Sequence, residues 1–211
     1  MMAAEKSMIN FFDDLLDSLG QPEVTYDRYF WSPFRKEAIA NNELLSHDVT
    51  ALRKETYFLG ILSVTNNQSL AHKLSEQALA HFLLKRSEFV VPNEVHRLLA
   101  RLAQKYPLVA ISNGNVDTDA IGISQYFSHI LMAGKGNSKK PNKDMFTQAA
   151  ELLNLPVAQL LHIGDCGHAD VFGALRSGMQ SVWLSCYDVG KPIQTLPHVE
   201  ITNIAQLEQF V

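Results

Sequence analysis

Two carboxylates follow an apolar run in the second half of the chain. Asp165 comes directly after "QLLHIG", and Asp170 lies five residues further on. An ionised side chain at the end of a buried strand is costly unless a cation or hydrogen-bond donors stabilise it. Carboxylate oxygens suit Mg²⁺, which keeps several of its waters and needs few protein ligands. The pair therefore predicts a magnesium site, and Asp170 alone would also suit a helix N-terminus, whose dipole favours an acid.

Two other apolar runs also lead into polar residues. "PLVAIS" ends in Ser112, and Asn113 and Gly114 follow, so that a hydroxyl and the N–H groups of a turn can donate to phosphate oxygens. "SHILMA" leads through a loop to Lys140, whose ammonium would balance phosphate charge, and we expect a helix to start at Pro141. Each feature alone is more often a turn or a solvated loop. Together they predict a phosphate site beside a divalent cation.

The second half of the chain alternates short apolar runs with helical patterns. This alternation predicts an α/β fold with a Rossmann-like parallel sheet. Ligands bind such sheets beyond the carboxyl ends of the strands, so we expect the polar residues to meet there. The predicted strands cover residues 107–112, 128–133, 159–164 and 180–185, and the predicted helices cover residues 93–106, 143–154 and 169–178.

The first half of the chain has a helical pattern, and we predict no strand before residue 105. In "MINFFDDLLDSLG" apolar residues recur at helical spacing, and Gly20 followed by Pro22 is expected to end the run. Asp48 and Ser69 are predicted as N-caps of two further helices. The sequence thus predicts a helical domain over residues 1–88 and an α/β core over residues 89–211.

The composition of the 211 residues bounds the class of protein. Apolar residues make up 46% and charged residues 19%, as in globular proteins with a hydrophobic core. A formal net charge of −4 gives no electrostatic reason to expect a nucleic-acid partner. Cys166 and Cys186 are the two cysteines, so no disulfide framework is predicted and a reducing cytoplasm fits best. The acidic N-terminal stretch predicts neither a signal peptide nor a membrane span.

The order of these motifs resembles that of the haloacid dehalogenase (HAD) superfamily. Ser112-Asn113-Gly114, then Lys140-Pro141, then Gly164-Asp165 with Asp170 are similar to its second, third and fourth motifs, and the resemblance covers roughly residues 90–186. The helical first half resembles the family's cap. More narrowly, "PLVAISNGN", "SKKPNKDMF", "LLHIGD" and "LSHDVTALRKE" resemble the bacterial branch that dephosphorylates FMN and the ribitylamino-uracil phosphate of riboflavin synthesis.

The resemblance implies an Mg²⁺-dependent, cytoplasmic phosphomonoester hydrolase acting on a small phosphorylated metabolite, with FMN or the ribitylamino-uracil phosphate favoured. It implies that Ser112 binds the phosphate, with Asn113 and Gly114 beside it. It also implies that Lys140 steadies both the phosphate and the nucleophile.

The metal residues follow from the same resemblance. It implies that Asp165 ligates Mg²⁺ and that Asp170 either supports this metal or supports Lys140. Cys166 stands where the branch often has a further Asp, which implies a weaker or differently hydrated metal site.

The family's first motif, Asp-x-Asp-x-Thr at the end of the first strand, is not found in the sequence. In that motif the first Asp attacks phosphorus and the second acts as general acid and base. "FFDDLLDS" fails because leucines stand two residues beyond Asp13 and Asp14, and "YDRYF" and "SHDVT" also lack the pattern. We therefore expect that the first strand is missing, that the chain is truncated at its start, and that the nucleophile lies outside it.

Other functions fit parts of the pattern. A non-catalytic protein derived from a HAD phosphatase would bind phosphate or another ligand without turnover. A zinc site made of Asp165, Cys166 and His168 is disfavoured because the three residues are crowded in sequence and no second cluster completes tetrahedral ligation. A dehalogenase is disfavoured by the retained Asp165 and Asp170, since dehalogenases do not need the metal. A phosphomutase would need a cap that holds a sugar bisphosphate.

Overall fold

The chain folds into two compact units. The computed structural model describes residues 2–17, 26–134, 136–187, 189–191 and 195–211. The first unit comprises Met1–Phe89 and Gly114–Ile121, and the second comprises Val90–Asn113 and Gly122–Val211. The helix stop predicted at Gly20 and Pro22 lies outside the described residues.

Helices form most of the first unit. They are α1 (Met2–Asp17), α2 (Arg28–Asn41), α3 (Val49–Thr65) and α4 (Gln68–Arg86). Asp48 caps α3 by accepting two backbone N–H groups of the first turn, as predicted. The N-cap of α4 is Asn67 and not Ser69, because α4 already begins at Gln68. The Asn67 side chain accepts the N–H of Leu70, which leaves Ser69 within the first turn.

Aromatic side chains fill the interior of the first unit. The ring centroid of Phe12 lies 4.5 Å from that of Trp31 and 5.0 Å from that of Tyr57. Gly60 allows Trp31 to approach α3, since a Cβ at Gly60 would lie 2.5 Å from the indole ring. Burial raises the pKa of Tyr57, and this outweighs the opposing effect of Arg53. The apolar residues at helical spacing thus become an aromatic core.

Strands and helices alternate in the second unit, which confirms the predicted α/β fold. In chain order the elements are α5 (Asn93–Lys105), β1 (Val109–Ser112), β2 (His129–Met132), α6 (Asp144–Leu153), β3 (Leu161–Gly164), a π-helical turn (Gly167–Phe172) that runs into α7 (Gly173–Ser177), β4 (Gln180–Leu184) and β5 (Val199–Ile201). A 3₁₀ helix over Ile204–Phe210 follows β5. No pattern in the sequence predicted β5 or this last helix.

The strands of the second unit form two parallel groups. β1 pairs with β2, with Val109 opposite His129. β3 pairs with β4, and β4 pairs with β5, again in parallel. Among the described residues no strand joins β1 to β3. The parallel pairing confirms the Rossmann-like arrangement, although the expected single sheet is divided between β1 and β3.

The helices of the second unit cover these strands with apolar faces. Met145 and Phe146 of α6 are fully buried against Leu131 of β2. α6 begins at Asp144, so the predicted helix start at Pro141 is wrong. Pro141 instead follows a cis peptide bond in the preceding loop. No helix within the described ranges is long and apolar enough to cross a membrane.

Candidate functional site

Lys140 lies at the carboxyl ends of β1 and β3, buried within the second unit. Its ammonium Nζ lies 2.8 Å from the carbonyl oxygen of Ile111 on β1 and 2.7 Å from Oδ1 of Asp170. Asp170 belongs to the π-helical turn that follows β3. The structure thus brings together two residues that are 30 positions apart in sequence.

Asp170 is almost completely buried, and both of its oxygens accept hydrogen bonds. Oδ1 also accepts from Nε2 of His162 at 2.9 Å, and Oδ2 accepts the backbone N–H of Cys166 at 2.9 Å. Burial alone would raise the pKa of Asp170, but the His162 hydrogen bond and the Lys140 charge outweigh it. They hold the pKa of this carboxyl well below its usual range. Asp170 is therefore a carboxylate at neutral pH, with its oxygens committed to the protein.

His162 also belongs to this network, although it was not among the predicted site residues. It lies on β3, and its ring meets that of Phe146 edge to face at 5.0 Å between centroids. Burial lowers the pKa of His162 below 6.5, so the ring is neutral at pH 7. A neutral ring that faces a carboxylate places its proton on Nε2, which then donates to Asp170. A histidine inside the apolar run "LLHIGD" was the available signal.

Gly164 makes room for Asp170. A Cβ at Gly164 would overlap the Asp170 side chain. Since protein interiors are close-packed, only glycine permits the carboxylate to lie over the end of β3. In the Gly164-Asp165 sequence, the glycine leaves space for the Asp170 side chain, and the next residue is the predicted metal ligand.

Asn113 holds the backbone of Lys140 through its side-chain amide. Its Oδ1 accepts the N–H of Lys140 at 2.7 Å, and its Nδ2 donates to the carbonyl of Lys140 at 2.9 Å. The amide therefore satisfies both main-chain groups of one residue. This contact positions Lys140, and a role of the Asn113 side chain in phosphate binding stays a prediction.

Ser112 is the last residue of β1, between the two residues that contact Lys140. Its backbone carbonyl accepts the N–H of Ala133 at 2.9 Å, which fixes the strand end against β2. Gly114 begins the next segment of the chain, which belongs to the first unit. Phosphate binding by Ser112 and Gly114 stays a prediction.

Asp165 differs from Asp170 in its surroundings. It is only half-buried, and its backbone carbonyl accepts Nε1–H of Trp183 at 2.9 Å. Within the described ranges its carboxylate has no hydrogen-bond or ion-pair partner. A carboxylate of this kind is the donor that Mg²⁺ prefers, and Mg²⁺ can complete its shell with water. Asp165 therefore fits the predicted metal.

Asp165, Cys166 and His168 do not form a zinc-binding cluster among the described residues. The part of the chain that the structure describes contains no group of three or more His, Cys, Asp or Glu residues that could hold a metal. Cys166 instead accepts the N–H of Ala169 through its sulfur at 3.4 Å, which caps the π-helical turn.

The acids that were compared with the first motif belong to helices. Asp13 and Asp14 lie inside α1. Asp27 accepts the N–H groups of Tyr29 and Phe30 and caps α2, as Asp48 caps α3. None of these four acids therefore stands at the end of a strand.

The fold and the site together define a class of protein. A Rossmann-like unit that gathers a buried lysine and an open carboxylate at its strand ends suits the hydrolysis of an anionic substrate. A family model described as haloacid dehalogenase-like hydrolase matches residues 14–178. The chain belongs to this family, which confirms the predicted family and the predicted enzyme class.

Two curated relatives are phosphate-monoester hydrolases by their names. The chain is 39% identical over 170 residues to the 5-amino-6-(5-phospho-D-ribitylamino)uracil phosphatase YigB of Escherichia coli K12, covering 78% of this chain and 71% of the relative. It is 26% identical over 107 residues to the pyrimidine 5'-nucleotidase YjjG of the same organism, covering 48% of each. These matches support the predicted phosphoric monoester hydrolase class.

Solved structures share the fold. A 2-haloacid dehalogenase from Pseudomonas syringae pv. tomato DC3000 aligns with a TM-score of 0.89 at 24% identity, covering 99% of this chain and 89% of that chain. The HAD-hydrolase YfnB of Bacillus subtilis, described as bound to magnesium, aligns with a TM-score of 0.66 at 18% identity, covering 99% and 91%. At these identities the likeness shows the fold alone.

Proposed function

We propose that this chain carries most of the active site of an Mg²⁺-dependent phosphomonoesterase for a small phosphorylated metabolite. The observation that carries the proposal is the contrast between Lys140, held by Asp170, and Asp165, whose carboxylate has no partner among the described residues. One residue supplies fixed positive charge, and the other can take a cation. The Lys140 ammonium and a cation held by Asp165 would both complement the negative charge of a phosphate.

The preferred substrates are 5-amino-6-(5-phospho-D-ribitylamino)uracil and FMN. The first is the substrate in the name of the 39% identical relative, and the second shares its ribityl phosphate. A cytoplasmic location is part of the proposal, because Cys166 and Cys186 are free thiols. The acidic net charge of −4 gives no reason to add a nucleic-acid partner, and no membrane partner is proposed.

Lys140 provides the positive charge for the reaction. An ammonium has three N–H donors, and Ile111 and Asp170 accept from it. One donor remains for a phosphate oxygen or for an attacking carboxylate. Because Asp170 and Asn113 fix the ammonium and the backbone, the charge needs little reorganisation when substrate binds.

Ser112 and Asp165 complete the proposed substrate site. The Ser112 hydroxyl donates to a phosphate oxygen, and the backbone N–H groups of Asn113 and Gly114 lie next to it in sequence. Asp165 holds Mg²⁺, which when bound neutralises charge on the phosphate. Asp170 supports Lys140 and does not bind the ion directly, because both of its oxygens already accept hydrogen bonds.

The attacking carboxylate is proposed to come from outside the 211 residues, so that this chain is a truncated part of the whole enzyme. The carboxylate attacks phosphorus as the P–O bond to the leaving group breaks, and the departing oxygen takes up a proton from a general acid. Water, losing a proton, then cleaves the acyl phosphate, which releases inorganic phosphate and restores the carboxylate. Asp13 and Asp14 are unsuited to this step, because both lie within helix α1.

The test compares the 211-residue chain with the same chain extended upstream in its gene. Hydrolysis of p-nitrophenyl phosphate and of FMN is measured with Mg²⁺ and with EDTA. We expect Mg²⁺-dependent turnover only in the extended chain. Turnover by the 211-residue chain would place the nucleophile within it and refute the truncation.

A second candidate function is a non-catalytic ligand-binding protein. It is favoured by one observation, namely that none of the acids compared with the first motif stands at a strand end. This candidate predicts that FMN binds to the extended and the 211-residue chains without turnover at saturating Mg²⁺. Equilibrium dialysis beside the activity assay separates the two functions.

A further inference from the structure

Arg53 in the first unit carries a positive charge that the described part of the protein does not balance. It lies on α3, and its side chain is half-buried. None of the ion pairs among the described residues includes Arg53. The next residue, Lys54, is already paired with Glu76 at 3.0 Å. A charge that is partly withdrawn from water without a counter-charge is costly, so this one points to a missing partner.

Aromatic side chains hold the Arg53 guanidinium in place. Its central carbon Cζ lies 3.7 Å from the ring centroid of Phe82 and 5.9 Å from that of Tyr57. Both aromatic residues are buried. At 3.7 Å the guanidinium must lie flat on the Phe82 ring, because an edge-on arrangement would force a nitrogen into the ring. The cation–π contact therefore fixes the plane of the guanidinium.

Most of the hydrogen-bond donors of Arg53 are unused. A guanidinium has five N–H donors, and Nη1 donates one of them to the Tyr57 hydroxyl at 3.3 Å. Nε is buried and has no acceptor among the described residues. Burial raises the pKa of Tyr57, so its hydroxyl stays protonated at neutral pH and supplies no negative charge. The fold thus positions the guanidinium and leaves donors on its Nη nitrogens for a further acceptor.

The same side of α3 contacts the segment that follows the predicted phosphate-binding residues. Thr50 lies one helical turn before Arg53, so the two side chains share one side of the helix. The Thr50 hydroxyl accepts a hydrogen bond from Nδ2 of Asn115 at 3.2 Å, and both residues belong to the first unit. Asn115 directly follows residues 112–114 in sequence. Arg53 is therefore next to a contact made by this segment.

We propose that Arg53 is a specificity-determining residue that binds the carbonyl oxygens of a planar heterocycle, such as the dione ring of a uracil or a flavin. A planar guanidinium presents parallel N–H donors, which match oxygens in the plane of a ring. Small-molecule sites commonly combine aromatic side chains with a few placed polar groups. A doubly charged anion such as phosphate is a poorer match, because Lys54 is paired with Glu76 and adds no charge.

This inference rests on the proposed function only for the claim that the heterocycle belongs to the substrate. Recognition of the ring itself can be measured with riboflavin, which has the flavin ring and the ribityl chain but no phosphate. Riboflavin binding does not need the predicted phosphate or metal residues. A failure of the phosphatase proposal therefore leaves the ring site testable.

The first experiment measures riboflavin binding to the 211-residue chain by the anisotropy of flavin fluorescence. Arg53→Met keeps an apolar stem against Phe82 and removes the donors, so we expect the Kd to rise about tenfold or more. Arg28→Met is the matched control, because Arg28 also contacts a tyrosine ring and its hydroxyl, those of Tyr29, but is exposed. The control should bind like the unsubstituted chain. Equal Kd values for Arg53→Met and the unsubstituted chain would overturn the proposal.

The second experiment needs no variant and stays decisive if Arg53→Met fails to fold. Uracil and diaminopyrimidine are rings of the same size, but the second has amino groups in place of the carbonyl oxygens. Amino groups cannot accept from a guanidinium, so uracil should displace riboflavin about tenfold more effectively. Equal displacement by the two rings, or displacement by inorganic phosphate as effective as that by uracil, would refute carbonyl recognition. So would an absence of riboflavin binding.

The third experiment separates this inference from the proposed function. In the upstream-extended chain, Arg53→Met should lower the ratio of kcat/KM for FMN to kcat/KM for ribitol phosphate by about tenfold, through a higher KM for FMN. A merely structural Arg53 would affect both substrates alike, and an unchanged ratio would overturn the inference while the function stands. Arg53-dependent riboflavin binding without FMN hydrolysis would support the ring site and contradict the proposed function.

Discussion

Lys140 and Asp170 form an ion pair with 2.7 Å between Nζ and Oδ1, and their side chains are only 10% and 6% exposed. At this burial each charge depends on the other, because water cannot replace the lost partner. Each strand that ends beside the pair also contacts it: Ile111 of β1 accepts a hydrogen bond from Lys140, and His162 of β3 contacts Asp170. The carboxylate of Asp170 accepts hydrogen bonds from Lys140, His162 and Cys166, whereas that of Asp165 has no partner among the described residues.

Asp170→Asn is expected to lower the free energy of unfolding by about 3–5 kcal/mol, because it leaves the Lys140 ammonium buried without its counter-charge. Urea denaturation measures the change. The matched control is Asp165→Asn, which should stay within about 0.5 kcal/mol because its carboxylate has no partner among the described residues. Equal losses in the two variants would contradict the distinction between the aspartates.

Asp165→Asn is expected to abolish the stabilisation that Mg²⁺ gives to the chain. An ion that binds only the folded state stabilises it by RT ln(1 + [L]/Kd), so the melting temperature rises with the Mg²⁺ concentration, and removal of the ligand carboxylate removes this effect. Thermal unfolding over a Mg²⁺ titration, with EDTA as the reference, measures the shift. A full Mg²⁺ response in this variant would show that Asp165 does not hold the ion.

Asn113→Ala is expected to destabilise the chain by about 1–3 kcal/mol, because it removes both hydrogen bonds to the backbone of Lys140. Chemical denaturation measures the loss. Asn115→Ala is the matched control, since Asn115 donates one bond of 3.2 Å to Thr50. A loss no larger than that of the control would mean that the Asn113 clamp contributes little.

Gly164→Ala is expected to cost about 1–3 kcal/mol, because the added Cβ overlaps the Asp170 side chain. A double-mutant cycle with Asp170→Ala identifies the cause. If the overlap is responsible, Gly164→Ala should cost much less when Asp170 is already alanine. Additive losses would point to backbone strain at Gly164 and away from this contact.

His162 is expected to make stability fall as the pH drops below 6.5. Its pKa is lowered by burial, so the unfolded chain takes up the proton first and unfolding becomes more favourable. His162→Gln keeps a donor for Asp170 without titrating, and it should flatten the fall in stability as the pH drops below 6.5. Asp170 titrates in a separate, more acidic range. Because its pKa is lowered in the folded chain, its contribution to stability is lost only as the pH falls below 3.8. Unchanged slopes in the variant would show that another group dominates.

Local sequence patterns predicted most elements, and the errors have identifiable causes. Asn67 and Ser69 are both capable N-caps, and only the backbone conformation selects the first. Proline suits the first turn of a helix, yet Pro141 lies in the loop before α6, which begins at Asp144. β5 is a three-residue strand, too short for a clear periodic signal.

Residue type and chain order predicted which residues would lie near the strand ends, and their roles toward phosphate and metal stay predictions. Ser112, Lys140 and Asp165 each follow a predicted strand, and parallel strands carry their ends to one edge. His162 was missed because a histidine within an apolar run, although unusual, does not by itself show which residue it contacts. Its partner Asp170 lies 8 residues away, and their contact depends on how the π-helical turn folds back.

The sequence by itself determined the family, the alternation of strands and helices, and the residue types at the strand ends, because these depend on local periodicity and order. Only the tertiary structure decided which aspartate is committed to the protein and which is open to a cation. It also decided that, among the described residues, β1 pairs with β2 while β3 pairs with β4 and β4 with β5. Burial, hydrogen-bond partners and strand neighbours arise from residues far apart in the chain, so no local pattern encodes them.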